Sequence, residues 1–303
     1  MGGVAVLERS LPGDPAARRR RGIPRGAWLG IAPFALYVLV FLGGPLYEVV
    51  YGAFTTTGGS LTWHNFSQTF SQPQYRSAFE QSLKISVVTS VLGGFFGVWL
   101  ACAVVTAGPR SPLRRIVSSG AGVLAYFAGV PLAFAFIATL GRYGEATILL
   151  RHIGIDLNAS GFDISSLTGV ELAYTYFQVP LMVLLITPAL EGLRPEWREA
   201  ATGLGASTVG YIRHVAAPVL APAILGGLLL LFGNAFAAYA TSYALVGIYV
   251  NLVPGWIQQL ISGNVLVDEN GVGLALGVEM IVVIAVVMVA YALLQRRATR
   301  WLA

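Results

Sequence analysis

Lysine is almost missing from this chain: of its 19 Lys and Arg residues only Lys84 is a lysine. No glycine precedes Lys84, so GxxxxGK[ST], the backbone cradle of a P-loop, is excluded, and with it ATP hydrolysis by that route within this chain. Cysteine is equally scarce. Cys102 stands alone in an apolar run, which excludes a disulfide framework, a CxxC pair and zinc spacing and leaves an inert thiol. The three histidines, His64, His152 and His214, lie in three different loops, and neither HExxH nor GxSxG occurs. No catalytic residue, metal site or cofactor is therefore expected. Charge is sparse as well, with 11% charged against 56% hydrophobic residues and a mean hydropathy of +0.71. That balance belongs to a chain whose main solvent is lipid.

What the chain does have is long apolar runs. Crossing a hydrocarbon core of about 30 Å takes about 20 residues of α-helix. Such runs occur at Ala27 to Tyr51, Ser82 to Thr106, Val117 to Leu140, Leu167 to Leu190, Val219 to Val246 and Val272 to Leu294. Lipid cannot hydrogen-bond a bare backbone, and the runs are too long and continuous for barrel strands, so each is expected to be a helix. The expected fold class is all-α, a polytopic membrane protein with six transmembrane helices.

Arginine sets the orientation. With the N-terminus in the cytoplasm, only Arg76, Lys84, Arg142 and Arg151 of the 19 basic residues fall outside, so both termini are expected to be cytoplasmic. The same asymmetry accounts for the formal charge of +5 without a nucleic-acid partner. Residues 1–24, rich in Arg, Gly and Pro, read as a disordered cytoplasmic tail, and 25–303 as the membrane domain. The first run is longer than a signal-peptide core and no small-residue cleavage site closes it, so it reads as a retained span. The outer loops are the longer ones, and NLVPGWIQQLISGN in the last of them has its apolar residues at helical spacing, which predicts a short helix lying at the interface.

Residues 191–218 form the longest inner loop. In RPEWREAATGLGAS, Pro195 suits a first helical position, Glu196 and Glu199 favour the positive end of the helix, and Gly203 or Gly205 can leave it in a left-handed cap. Trp197, Ala200, Ala201 and Leu204 give this helix an apolar face. Ser207 is placed to cap a second helix, TVGYIRHVAA, expected to stop before Pro218. On residues alone, the loop is an interfacial helix-turn-helix. Its spacing adds more: Glu199, Ala200 and Ala201, then Gly205 after three residues, then Val215, Ala217 and Pro218 after nine. This resembles the EAA loop of the membrane permease subunits of binding-protein-dependent ABC importers. Leucine is commoner in that family where Ala217 stands here. The first span, APFALYVLVFLGGPL, and the second-span region also resemble the family. The resemblance implies a coupling helix docked on a cytoplasmic ABC ATPase dimer, a pathway shared with a second permease subunit, identical or a sister chain, and an extracytoplasmic solute-binding protein. The implied location is the bacterial inner membrane.

Charges inside a membrane are candidates for function. Glu279 lies within the sixth run, and Glu48 and Glu171 lie near the outer ends of the first and fourth, close to tyrosines that include Tyr174. As a candidate solute pathway, Glu279, Glu171, Tyr174 and Glu48 would suit an amine-bearing solute through charge and cation–π attraction. As plain structure, Glu48 and Glu171 are interfacial and the tyrosines an aromatic belt. The AYTYFQVPLMVL and FAAYATSYALVG stretches resemble the spermidine/putrescine permease group, which implies a polyamine; a sugar or glycerol-phosphate permease has the same architecture. Pro180 and Gly93, Gly94 and Gly97 suggest a kink and a close helix contact. A carrier working alone would call for inverted repeats and an intramembrane acid relay, and neither is visible. A signalling scaffold would leave the EAA spacing unexplained.

Overall fold

The computed structural model describes residues 25–56, 58–108, 110–157, 159, 161–247, 251–262 and 270–299. The expected N-terminal tail, 1–24, lies outside them. The described residues are overwhelmingly helical, and six stretches are long and apolar enough to cross a membrane. The chain divides into two compact units, 1–48 and 49–303. The first carries helix α1 (Arg25–Val38), a π-helical turn (Leu39–Gly43) and the start of α2 (Gly44–Ala53).

In the second unit, α3 (His64–Ser71) leads into α4 (Pro73–Thr106), which lies along α8 (Leu167–Glu191) in the most extensive helix contact. Glycine permits it. A Cβ added to Gly93 would meet Gln178 Cβ at 2.6 Å, and one on Gly97 would meet Met182 Cβ at 2.4 Å. With little hydrophobic drive between helices in lipid, such close backbone approach is what holds spans together. The helix α4 begins nine residues before the apolar run does: Arg76, Glu80 and Lys84 recur on an exposed face, while Tyr75, Ala78 and Ser82 on the opposite face are buried.

The third and fifth apolar runs, expected as single helices, are each broken. The third consists of α5 (Pro112–Tyr126) and α6 (Val130–Leu140), parted at Gly129 with φ 73° and ψ −146°. Only glycine adopts that region without strain. By length and composition alone a third crossing would be counted at Val130–His152. Glycines 141 and 144 separate α6 from α7 (Glu145–His152), and α5 packs along α8. The fifth run consists of α11 (Ala217–Ala237) and α12 (Ala240–Val246), parted where Ala238 turns extended at ψ 116°. Hydropathy cannot register either break, since every residue at both is apolar or small.

One helix end also differs from expectation. The helix α10 (Thr208–Tyr211) does not stop before Pro218; it passes through a π-helical turn, Ile212–Ala216, into α11. A second π turn among the described residues, Leu39–Gly43, likewise ends two residues before a proline, Pro45. A proline ring crowds the carbonyl four residues back and removes a donor, and one widened turn accommodates both effects. Pro180 lies inside an unbroken α8.

The predicted outer helix exists as α13 (Val253–Ile261). It is packed rather than merely interfacial: Val253 and Leu260 are buried, Trp256 meets Tyr75 edge to face at 5.2 Å, and Val253 N–H donates to Ser82 Oγ at 3.0 Å. The last helix, α14 (Asn270–Thr299), packs against α3, α13 and α11.

Candidate functional site

The inner loop folds as α9 (Pro195–Gly203), a glycine turn and α10. Of the two candidate cap glycines the structure uses Gly205, at φ 82°. Gly205 N–H donates to Thr202 O at 2.9 Å and Ala206 N–H to Ala201 O at 2.9 Å, the paired bonds of a Schellman cap. Ser207 Oγ accepts from Gly210 N–H at 3.1 Å, closing the start of α10. The end of α9 and the start of α10 are thereby satisfied within a segment where neither helix has a buried residue.

Glu199 and Ala200 are exposed, Ala201 is half-buried, and Leu204 is 90% exposed. The apolar face turns toward the start of α11, where Trp197, Ala200, Ala201, Leu204, Val215 and Val219 line an open groove. Glu199 is not among its walls. Pro218 lies at the first turn of α11, next to the π turn that joins this groove to the fifth span. The Arg194 guanidinium stands 6.0 Å from the Trp197 ring centroid, and an Arg114–Glu191 ion pair ties the start of α5 to the end of α8 just before α9. The structure thus brings Glu199, Ala200, Ala201, Gly205, Val215 and Pro218 into one small, rigidly capped element rooted on α8 and α11.

The outer candidates of the second unit, Glu279, Glu171 and Tyr174, do not form such a cluster. Among the described residues, no hydrogen bond or ion pair joins Glu279, Glu171 and Tyr174. Glu279, on α14, accepts from Thr69 Oγ1 of α3 at 2.5 Å. Tyr174 is buried, and its hydroxyl donates to Ala238 O at 2.6 Å, satisfying a carbonyl exposed by the break between α11 and α12. Glu171 is half-buried, with its main-chain oxygen accepting from Thr175 Oγ1 at 2.8 Å. Glu48 is exposed, in the first unit. Among the described residues there is no group of three or more His, Cys, Asp or Glu able to hold a metal ion.

Sequence reasoning missed a polar joint in the middle of the bundle. Gly129 N–H, at the break in the third span, donates to Thr241 Oγ1 at 2.9 Å, just past the break in the fifth. One helical turn along α8 from Tyr174, Gln178 is fully buried and donates to Thr89 Oγ1 of α4 at 2.7 Å. The signals were present in part: Gly129 two residues before Pro131, and a glutamine in an apolar run.

Comparison with known proteins agrees with this architecture. The family described as "Binding-protein-dependent transport system inner membrane component" matches residues 93–300. The sulfate transport system permease protein CysT of Salmonella typhimurium is 26% identical over 235 residues, 77% of this chain and 79% of that one. The spermidine/putrescine transport system permease protein PotC of Haemophilus influenzae is 26% identical over 271 residues, 87% of this chain and 95% of that one. The fold is similar to that in the crystal structure of a bacterial ABC transporter involved in import of the acidic polysaccharide alginate, with a TM-score of 0.70 at 18% identity, covering 90% of this chain and 96% of that chain. With well over half its length matched and six membrane-crossing stretches, this chain is a multi-pass bacterial inner-membrane protein that belongs to the family of binding-protein-dependent transport system inner membrane components.

Proposed function

We propose that this chain lines the solute pathway of an ABC importer and receives the force for transport at α9. A separate cytoplasmic ATPase dimer docks there, a second permease subunit completes the pathway, and an extracytoplasmic binding protein delivers the solute. The observation that carries this is the exposed α9–α10 element, with Glu199 free on its outer side and its apolar groove continuous with α11. A short helix closed at its C-terminal end by a Schellman cap, and followed at once by a second helix that Ser207 caps, transmits a push to the span it is rooted in instead of absorbing it by fraying. The test is uptake together with ATPase stimulation for Glu199→Lys and Gly205→Glu. Both are expected to abolish the two activities while the protein stays in the membrane. Normal transport by both variants would remove the coupling role.

For the solute, an inorganic oxyanion of the sulfate type is the first reading, supported by the similarity to the sulfate permease CysT. An amine-bearing solute is the second, supported by the longer coverage of the spermidine/putrescine permease PotC. The outer carboxylates add little to the amine reading, because Glu279 is engaged by Thr69. Labelled sulfate and labelled spermidine, offered in turn to cells with and without the chain, separate the two. Uptake of spermidine alone would reverse the order.

A further inference from the structure

We infer that Glu279 is a positioning residue: it pins the short extracytoplasmic helix α3, and with it the connector leaving the first span, onto the outer part of α14, so that these elements move as one body. Counting from Asn270, Glu279 is nine residues into α14, about 14 Å along the helix at about 1.5 Å per residue. An unpartnered carboxylate there would be costly. Its partner is specific. The hydroxyl of Thr69, itself buried, lies 2.5 Å from Glu279 Oε1 and 2.7 Å from Phe66 O. A hydroxyl has one hydrogen, so two arrangements are possible. With the carboxylate ionised, Thr69 donates to it. With the carboxyl protonated, Glu279 donates to Thr69, which passes its own hydrogen to Phe66 O. The pin holds in both states, and a glutamine at 279 could reproduce either.

A second fixing point lies one turn earlier on α3. Asn65 is buried and donates through Nδ2 to Ala53 O at 2.9 Å and Thr55 O at 3.2 Å, which ties α3 to the end of α2. A Cβ added to Gly271, at the start of α14, would stand 2.5 Å from Asn65 Nδ2, so the absence of a side chain there lets α14 pass directly beneath the amide. Between the two ends, the connector is folded on itself: Thr62 N–H donates to Phe54 O at 2.8 Å, and the Phe54 ring packs on Trp63 and Phe66 with centroids 5.2 and 4.8 Å away. Residues 53–56 and 58–71 therefore form one unit fixed to α14 at Gly271 and at Glu279.

The test is amide hydrogen exchange of residues 64–72 in the membrane-reconstituted transporter, with uptake of labelled sulfate and spermidine measured in parallel. Exchange in α3 depends on neither the solute nor the ATPase, so it stands apart from the coupling proposal. Glu279→Leu and Thr69→Val are each expected to speed exchange by about tenfold or more. The double variant should add nothing further, and Glu279→Gln should restore wild-type exchange and uptake. Gly271→Ala should loosen the same peptide from its other end. Unchanged exchange in Glu279→Leu and Thr69→Val overturns the inference. So does a Glu279→Gln variant as defective in uptake as Glu279→Leu when Thr69→Val is normal, since the charge itself would then be at work.

Discussion

Tyr174 shows how a residue's role depends on the backbone around it. In sequence it is an aromatic near a carboxylate; in the fold its hydroxyl satisfies the Ala238 carbonyl that the helix break leaves without a helical partner. Tyr174→Phe leaves that half-buried carbonyl without this donor, which is expected to destabilise the protein by about 1 kcal/mol, read as a lowered melting temperature in detergent with no change in membrane insertion. Gly129→Ala has a different cause. There is room for the methyl group, whose nearest neighbour would be Ala240 Cβ at 3.7 Å, but a φ of 73° is strained for any L side chain, by about 1–3 kcal/mol. The same thermal assay should show a loss for Gly129→Ala and none for Gly120→Ala, where nothing lies within 4 Å and φ is helical. At this scale the coupling element was largely legible: Gly205 and Ser207 act through local backbone chemistry that a sequence displays. Tyr174 and Glu279 were not, because their partners Ala238 and Thr69 are 64 and 210 residues away.

Among the elements, the spans could be read where one face is apolar from end to end, as in α8, and less well where a charged face hides a helix. The outer turns of α4 illustrate this: Arg76, Glu80 and Lys84 lower the local hydropathy, but the helix persists because Tyr75 and Ala78 are buried against the α13–α14 side. The breaks in the third and fifth spans and the two π turns are conformational rather than compositional, so an apolar count passes over them. The glycines of α4 were more informative, since Gly93, Gly94 and Gly97 do bring α4 against α8 and α11, Gly94 facing Leu228 with 2.3 Å from an added Cβ to its side chain. Gly97→Leu therefore forces the backbones of α4 and α8 apart. Overpacking of this kind is expected to destabilise by about 1–3 kcal/mol or more, and the variant should insert yet melt earlier than Cys102→Ala on the same helix, whose thiol is only half-buried.

Across the second unit as a whole, the apolar core falls into separate clusters. One gathers Leu132, Val170, Tyr174, Phe177 and Leu245 around α6, α8 and α12; another gathers Ala121, Met182, Ile186 and Leu220 around α5, α8 and the start of α11. The unbroken helices α4 and α8 run through both, α4 giving Ile85 to the first and Ala101 to the second. Two hydrogen bonds fasten the breaks in the third and fifth spans, Gly129 N–H to Thr241 Oγ1 and Tyr174 Oη–H to Ala238 O, so three spans are joined by side chains on just two of them. If the joint acts as one element, the two bonds are coupled, because Ala238, at the break, and Thr241, in the first turn of α12, are only three residues apart. Thr241→Val removes the acceptor for Gly129 N–H while keeping the side-chain volume, and Tyr174→Phe removes the other bond. A double-mutant cycle on thermal stability is expected to give a coupling of about 0.5–3 kcal/mol, the range for residues sharing a backbone element. Additive losses would mean that each break is fastened independently and that the third and fifth spans bend without reference to one another.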